Sequence, residues 1–346
     1  MRWRSAAVLA AVVVLAGCGS HEHANPSSAP VQTAHPATSG HVVGDPPRIP
    51  WWSRGLLHVD GRTIRTPLSR VVAAGPTTLV GDDSDHGSTW SRVVGRRLVL
   101  LFATTSQAVV PSVSADGDHV AWVSSHELER YDENTTRTAF TVVEYDVRRA
   151  HRIGSTTMTT RVTCCDADGV VRAIGVDTDG AVVLDVVGGS SWLWRPGRPP
   201  VHVPLPHDQW LDGSDQWPHG IMFTLRSDGA GPAAFARVDW RGHLRRVGRV
   251  PVASLGIWSP DGTTYAYLPK APGARARVWT ASGARPLAAP RNAQVLAWES
   301  PTSVLLFSGD LDIAPVQVVR CDTSTGTCER AGVPLRHAHL PESLLH

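Results

Sequence analysis

One hairpin phrase, repeated along the chain, constrains the fold more than any other feature. At residues 256–268, GIWSPDGTTYAYL, an apolar run reaches Trp258, Ser-Pro-Asp-Gly reverses the chain, and Tyr265-Ala266-Tyr267-Leu268 runs back. Asp-Gly supplies the positive φ that a tight turn needs, and the aromatic and β-branched flanks favour strands, so the phrase predicts a β-hairpin. Residues 111–123, PSVSADGDHVAWV, match it, with Ser114-Ala115-Asp116-Gly117 aligned on Ser259-Pro260-Asp261-Gly262. A third copy is read at residues 162–174, VTCCDADGVVRAI, and a looser fourth at residues 296–307, LAWESPTSVLLF. A recurring hairpin means a repeat architecture in which each unit buries its apolar face against the next.

Between Trp51 and about Val333, strand-like segments alternate with turn residues, and no amphipathic helix of three turns is evident. Residues 56–64 form a hairpin turning at Asp60-Gly61, and residues 71–81 and 92–102 supply four short strands around a polar loop at 82–88. Residues 111–123 are expected to pair with 139–153 across a charged loop at 124–138, and residues 209–250 form the most degenerate unit. Gly117 to Gly169 spans 52 positions and Trp258 to Trp298 spans 40, a pitch suited to four strands per unit. The lone hairpin at 56–64 lacks partners, which a circular fold explains if the C-terminal residues complete the first blade.

The xWSPDGxxxAYL phrase resembles the WD-like repeat of TolB-type β-propellers. The resemblance implies an all-β chain, a single β-propeller of six or seven four-stranded blades with seven preferred, in which the phrase forms the inner two strands. The expected organisation is a signal at residues 1–17, a tether at 18–50, the propeller at 51–336 and a tail at 337–346 that could close the ring. A pair of stacked β-sandwiches is the structural rival.

The N-terminus sets the compartment. Arg2 and Arg4 precede an apolar run at residues 6–15 that is too short to span a bilayer, and Leu15-Ala16-Gly17 leads directly to Cys18. This resembles the bacterial lipoprotein signal, whose cysteine is lipidated and becomes the first residue of the mature chain. The resemblance implies lipid on Cys18 and an extracytoplasmic position on the outer face of the cell membrane. Residues 19–50 are rich in Ser, Pro, Ala, Gly and His with no apolar period, and are expected to remain disordered. Loss of residues 1–17 takes the formal charge from +2 to zero, so no electrostatic footprint for nucleic acid remains.

Several residues could carry chemistry. Cys321 and Cys328 flank a turn-rich tip, and outside the cytoplasm their spacing predicts a disulfide across a hairpin. Cys164 and Cys165 are adjacent, and both a vicinal disulfide and free thiols fit. Asp82, Asp83 and Asp85 form a loop cluster that could attract a cation, although a solvated turn explains them as well; no metal site is otherwise expected. Trp210 and Trp217, beside Asp208 and Asp215, make two Asp-Gln-Trp triplets that could form a recognition surface. Trp122, Trp258, Trp279 and Trp298 are expected between sheets. No nucleophile elbow, zinc-protease helix or phosphate loop is present, and no cofactor is implied.

The leading expectation is a lipid-anchored, monomeric binding module without catalysis. It would dock an envelope protein or a cell-wall glycan. The alternative is a hydrolase or lyase acting on glycans at the mouth of the channel, with Asp82, Asp83 and Asp85 or Asp208 and Asp215 as its acids.

Overall fold

The structure is a computed structural model that describes residues 43–339 except 54, 67–69, 75, 85, 106–108, 164–168, 188–189, 206–208, 218, 228–233, 250–255, 309–316 and 333–337. Every regular element among these residues is a strand. The strands form seven sheets, six of four strands and one of five, antiparallel except for one two-residue strand on the edge of the five-stranded sheet.

Blade 1 joins Ala338–His339 to Trp51–Ser53, Leu56–Val59 and Arg62–Arg65, so one end of the chain supplies its first strand. Blade 2 comprises Arg70–Ala74, Thr77–Ser84, Gly87–Val94 and Arg97–Thr104. Blade 3 comprises Ser112–Val113, His119–Arg130, Thr135–Asp146 and His151–Thr163. Blade 4 is Val171–Val176, Val182–Val186, Ser191–Trp194 and Val201–Val203. Blade 5 is Gln209–Trp217, Gly220–Ser227, Ala234–Val238 and Leu244–Arg249. Blade 6 is Gly256–Trp258, Tyr265–Tyr267, Arg275–Thr280 and Gly283–Arg291. Blade 7 is Gln294–Ser300, Ser303–Ser308, Gln317–Asp322 and Cys328–Ala331, extended by Val43–Gly44 paired parallel on its outer edge.

Packing closes these sheets into a ring. Seven apolar clusters each straddle one seam between neighbours. Phe102 stacks on Trp122 at 3.9 Å between blades 2 and 3, and Phe235 meets Trp258 edge-on at 4.8 Å between blades 5 and 6. The seventh cluster joins Trp51 of blade 1 to Leu296, Leu305 and Phe307 of blade 7. Seven sheets with seven seams are a seven-bladed β-propeller, which excludes stacked sandwiches. Trp122, Trp258 and Trp298 are buried in these seams, and Trp279 packs partly buried against one.

The hairpin phrase has a side-chain logic. Ser259 Oγ donates to Asp261 Oδ1 at 2.5 Å and accepts from the Thr264 N–H at 3.0 Å, while the Thr263 N–H reaches the same carboxylate oxygen at 3.2 Å. Ser114 and Asp116 repeat the arrangement at 2.5, 2.9 and 3.1 Å. A hydroxyl that both donates and accepts, beside a carboxylate that collects N–H groups, satisfies a turn that has few backbone partners of its own.

Two expectations need correction. The third copy was placed one strand too early. Val171–Val176 is already the inner strand of blade 4, and the matching turn is Asp177-Thr178-Asp179-Gly180, where the Gly180 N–H donates to the Asp177 carbonyl at 2.9 Å. Gly169 instead belongs to the link between blades 3 and 4, so the step from Gly117 to Gly169 is not a blade pitch. The sequence misleads because Asp-Gly punctuates both kinds of turn. The two expected loops are likewise strands. Residues 82–84 and 87–88 pair within blade 2, and residues 124–130 and 135–138 pair within blade 3, leaving only a short reversal at each tip. Residues 82–84 and 125–130 are exposed at successive positions, so both faces of these strands meet solvent there and the residues carry no alternation to mark them as strands.

Candidate recognition surface

Blade 3 breaks the symmetry of the ring. Its three outer strands run 12, 12 and 13 residues, whereas no other strand among the described residues exceeds 9. At about 3.3 Å per residue they reach roughly 40 Å. Threonine, valine and isoleucine dominate two of them, and β-branched side chains suit a pleated surface. The excess length lies at the end where the second strand turns into the third, around Tyr131–Asn134. There the Tyr131 N–H donates to the Thr135 carbonyl at 2.9 Å and the Asn134 N–H to Asp132 Oδ1 at 2.8 Å. The Asn134 N–H leads, with hydrogen bonds from Thr135 and the charge of Arg161, in holding the Asp132 carboxyl below its ordinary range.

Register assigns the two faces of this extension. Phe140, Val142, Met158 and Val162 share one face and pack with Val171, Val182 and Trp194 of blade 4. The other face carries Ser124 beside Thr141 and Thr157, His126 beside Ala139 and Thr159, and Glu129 beside Arg137 and Arg161. His126, Arg137, Thr157, Thr159 and Arg161 are exposed. The Arg161 guanidinium lies 4.7 Å from the centre of the Tyr131 ring, and Thr141 and Thr157 hydroxyls meet at 3.2 Å. Glu129 is the other cross-strand neighbour of Arg137, so the row across the sheet reads Glu129–Arg137–Arg161, and the charge of Arg161 also acts on Asp132. The result is a face of hydroxyls with His126 and a Glu129–Arg137–Arg161 row, backed by an apolar face packed on blade 4.

The root of blade 3 is held electrostatically. Glu144 is fully buried, its Oε1 lies 2.8 Å from His119 Nδ1, and its Oε2 has no hydrogen-bond partner among the described residues. The carboxylate sits under the Asp177–Gly180 turn of blade 4, where a Cβ on Gly180 would stand 2.2 Å from Oε1. The hydrogen bond to Glu144 raises the His119 pKa against the opposing effect of burial, helped by the charges of Glu144, Asp116 and Asp146. Burial raises the carboxyl of Asp177 above its ordinary value.

The residues singled out in the sequence fall elsewhere. Asp82 and Asp83 are successive strand residues, so they project to opposite faces and cannot converge on one cation. Asp83 is engaged by Arg70 and Ser88, each at 2.5 Å, and Asp85 lies outside the described residues. Trp210 and Trp217 stand near opposite ends of the first strand of blade 5, about 20 Å apart along the chain, with Asp215 between them. Asp208, Cys18, Cys164 and Cys165 also lie outside the described residues. Cys321 and Cys328 are cross-strand partners in blade 7 and form a disulfide.

A second polar feature is a cavity of about 210 Å³ between blades 1 and 2, lined by Asp60, Arg62, Thr78 and Arg92. The pairing of residues 111–123 with 139–153 is legible in the sequence, but the extension of blade 3 is not, because its charged tip reads as a loop. The signal was available in the alternation at residues 151–163, where every second position from Ile153 to Arg161 is solvent-facing.

No family model matches the sequence, and no curated protein does either. Solved structures do match. Acylaminoacyl peptidase from Pyrococcus horikoshii aligns with a TM-score of 0.55 at 10% identity, over 80% of this chain and 47% of that one. TolB from Acinetobacter baumannii aligns at 0.40 and 14% identity, over 73% and 61%. Oligogalacturonate lyase from Vibrio parahaemolyticus aligns at 0.46 and 10% identity, over 67% and 71%. The chain therefore spans less than two thirds of the TolB and peptidase chains. At these identities the likeness is one of fold, and the class it defines together with the blade count is the seven-bladed β-propeller.

Proposed function

We propose that this protein is a lipid-anchored, extracytoplasmic propeller that docks a cell-envelope component through the open face of blade 3, without performing chemistry itself. The observation that carries the reading is the extension of one blade beyond its six neighbours, with one face covered and the other left open and polar. Threonine and serine hydroxyls on a rigid sheet recur about every 7 Å along a strand and 4.8 Å between strands, a spacing suited to an extended polar partner. Arg137 and Arg161 add charge-assisted donors for carboxylate or phosphate groups. The Cys321–Cys328 disulfide supports an oxidising compartment, and the sequence around Cys18 supports the anchor.

The test places a photo-activated cross-linker at Thr157 or Thr159 of the full chain in cells, with Arg245 on the outer strand of blade 5 as the control position. One dominant envelope species captured from blade 3, and lost in Arg137→Ser/Arg161→Ser, is the expected result. Equal capture from blades 3 and 5, or none from blade 3, overturns the reading. Cys18→Ser should release the protein from the membrane fraction.

A further inference from the structure

The outer strand of every blade presents a row of backbone N–H and C=O groups, an edge on which another strand can grow. Six of the seven edges here are blunted. Blade 1 ends on the four-residue Arg62–Arg65, with an arginine at each end, and blade 4 on the three-residue Val201–Val203. Blade 5 carries Arg245, Arg246 and Arg249, and blade 6 carries Pro286 and Pro290. Blade 3 ends on a hydrophilic strand with Arg152 and Arg161. Blade 7 is covered by Val43–Gly44. Only Arg97–Thr104 of blade 2 combines length with apolar character. Leu98 to Ala103 contains no charge, proline or glycine, and Val99 and Leu100 are 50% and 63% exposed.

We infer that this edge is a self-association site, where blade 2 of one molecule pairs antiparallel with blade 2 of a second copy. Three observations favour a second copy. The segment is self-complementary: a two-fold axis through Val99 or Leu100 sets Arg96 and Arg97 opposite uncharged residues between Leu101 and Thr104, so no like charges meet. Val99 and Leu100 project from opposite faces of the sheet, so pairing covers apolar surface on both sides of the joined edge. The molecule already completes an edge by adding a strand, since Val43–Gly44 does this on blade 7. Residues that pack the inner side, Leu98 against blade 1 and Leu101 against blade 3, fix the strand in place before any partner arrives. Such an interface is isologous and closes at two copies. It replaces the expectation of a monomer.

The experiment co-expresses two differently tagged full-length copies with a photo-activated cross-linker at Leu100, using Arg65 on the outer strand of blade 1 as the control. A cross-linked species bearing both tags from Leu100 but not from Arg65 is expected. Val99→Lys and Leu100→Lys, which place a charge on already exposed positions, should each reduce that species at least tenfold while leaving the melting temperature within about two degrees. Capture of a different protein or of lipid at Leu100, or no capture, overturns the proposal. So does dimer formation that persists in both folded lysine variants. Because the probe lies on blade 2, its failure leaves the blade 3 reading intact, and the converse holds too.

Discussion

At the scale of single residues, the turn glycines separate into those whose missing side chain matters only for backbone conformation and those also pressed by a neighbour. Gly61 and Gly180 both have positive φ, 69° and 77°, but nothing lies within 4 Å of a Cβ on Gly61, whereas one on Gly180 would strike the Glu144 carboxylate. Gly61→Ala should therefore cost only the left-handed penalty of about 1 kcal/mol. Gly180→Ala should cost about 2 kcal/mol more, because the buried carboxylate must shift within a packed seam. Urea denaturation of the two variants checks the ranking, and equal losses would contradict the placement of Glu144. The Asp-Gly pairs themselves were legible in the sequence. Which of them closes an inner hairpin and which links blades was not, because that depends on strand order and not on the two residues.

At the scale of the element, the footing of blade 3 on blade 4 should respond to pH. His119 has its pKa raised in the folded protein by the hydrogen bond and charge of Glu144. Its charged form is therefore favoured by folding. That contribution is complete below the unfolded value of about 6.5 and disappears as pH rises through the higher folded value. His119→Gln keeps a hydrogen-bond donor for Glu144 but cannot carry charge. The stability gap between the parent and this variant should be widest below pH 6.5 and close progressively above it, measured by melting temperature across pH 5 to 9. A gap that widens with rising pH would reverse the assignment. The long strands carrying this footing were hidden in the sequence by their own solvent exposure: Glu127, Glu129, Arg130, Asp132 and Glu133 look like a loop until their partners across the sheet are known. The disulfide tip of blade 7 was legible because two cysteines seven positions apart around a turn leave little else for the chain to do.

At the scale of the whole molecule, closure is the governing event, and blade 7 carries it. Glu299 takes the place where the other phrases continue toward Asp-Gly, which made this repeat look degenerate. The structure gives the reason. Glu299 is almost fully buried, and Arg320 grips it with Nε at 2.5 Å and a second nitrogen at 3.0 Å. The Arg48 N–H donates to it at 2.7 Å, and Arg320 also donates to the carbonyls of Asp45 and Pro46. Burial pushes the Glu299 carboxyl up, but the hydrogen bonds from Arg320 and Arg48 and their charges outweigh it and leave the group below its ordinary range. Arg320→Ala strands that carboxylate and should destabilise the protein by about 3–5 kcal/mol near neutral pH. Since a lowered carboxyl stabilises above its unfolded value near 4.3 and ceases to do so as pH falls through the folded value, the parent's advantage should fade in acid. Chemical denaturation at pH 7 and pH 3.5 measures both effects, and an undiminished difference at pH 3.5 would contradict the role given to Glu299. Ring closure by the C-terminal residues was foreseen from an orphan hairpin, but the clasp was not, since a Glu and an Arg 21 positions apart announce nothing until the strands bring them together.

The strap from Val43 to Ser53 also has a mechanical consequence. Tension applied through the chain before Val43 would first peel a two-residue parallel pairing from the rim of blade 7, one hydrogen bond at a time. The load would then reach Asp45, Pro46 and Arg48, where the Arg320–Glu299 clasp must yield before force can reach Trp51 in the seam beside blade 1. The clasp thus acts as a strain relief, keeping a pull at Val43 from becoming a pull on the ring.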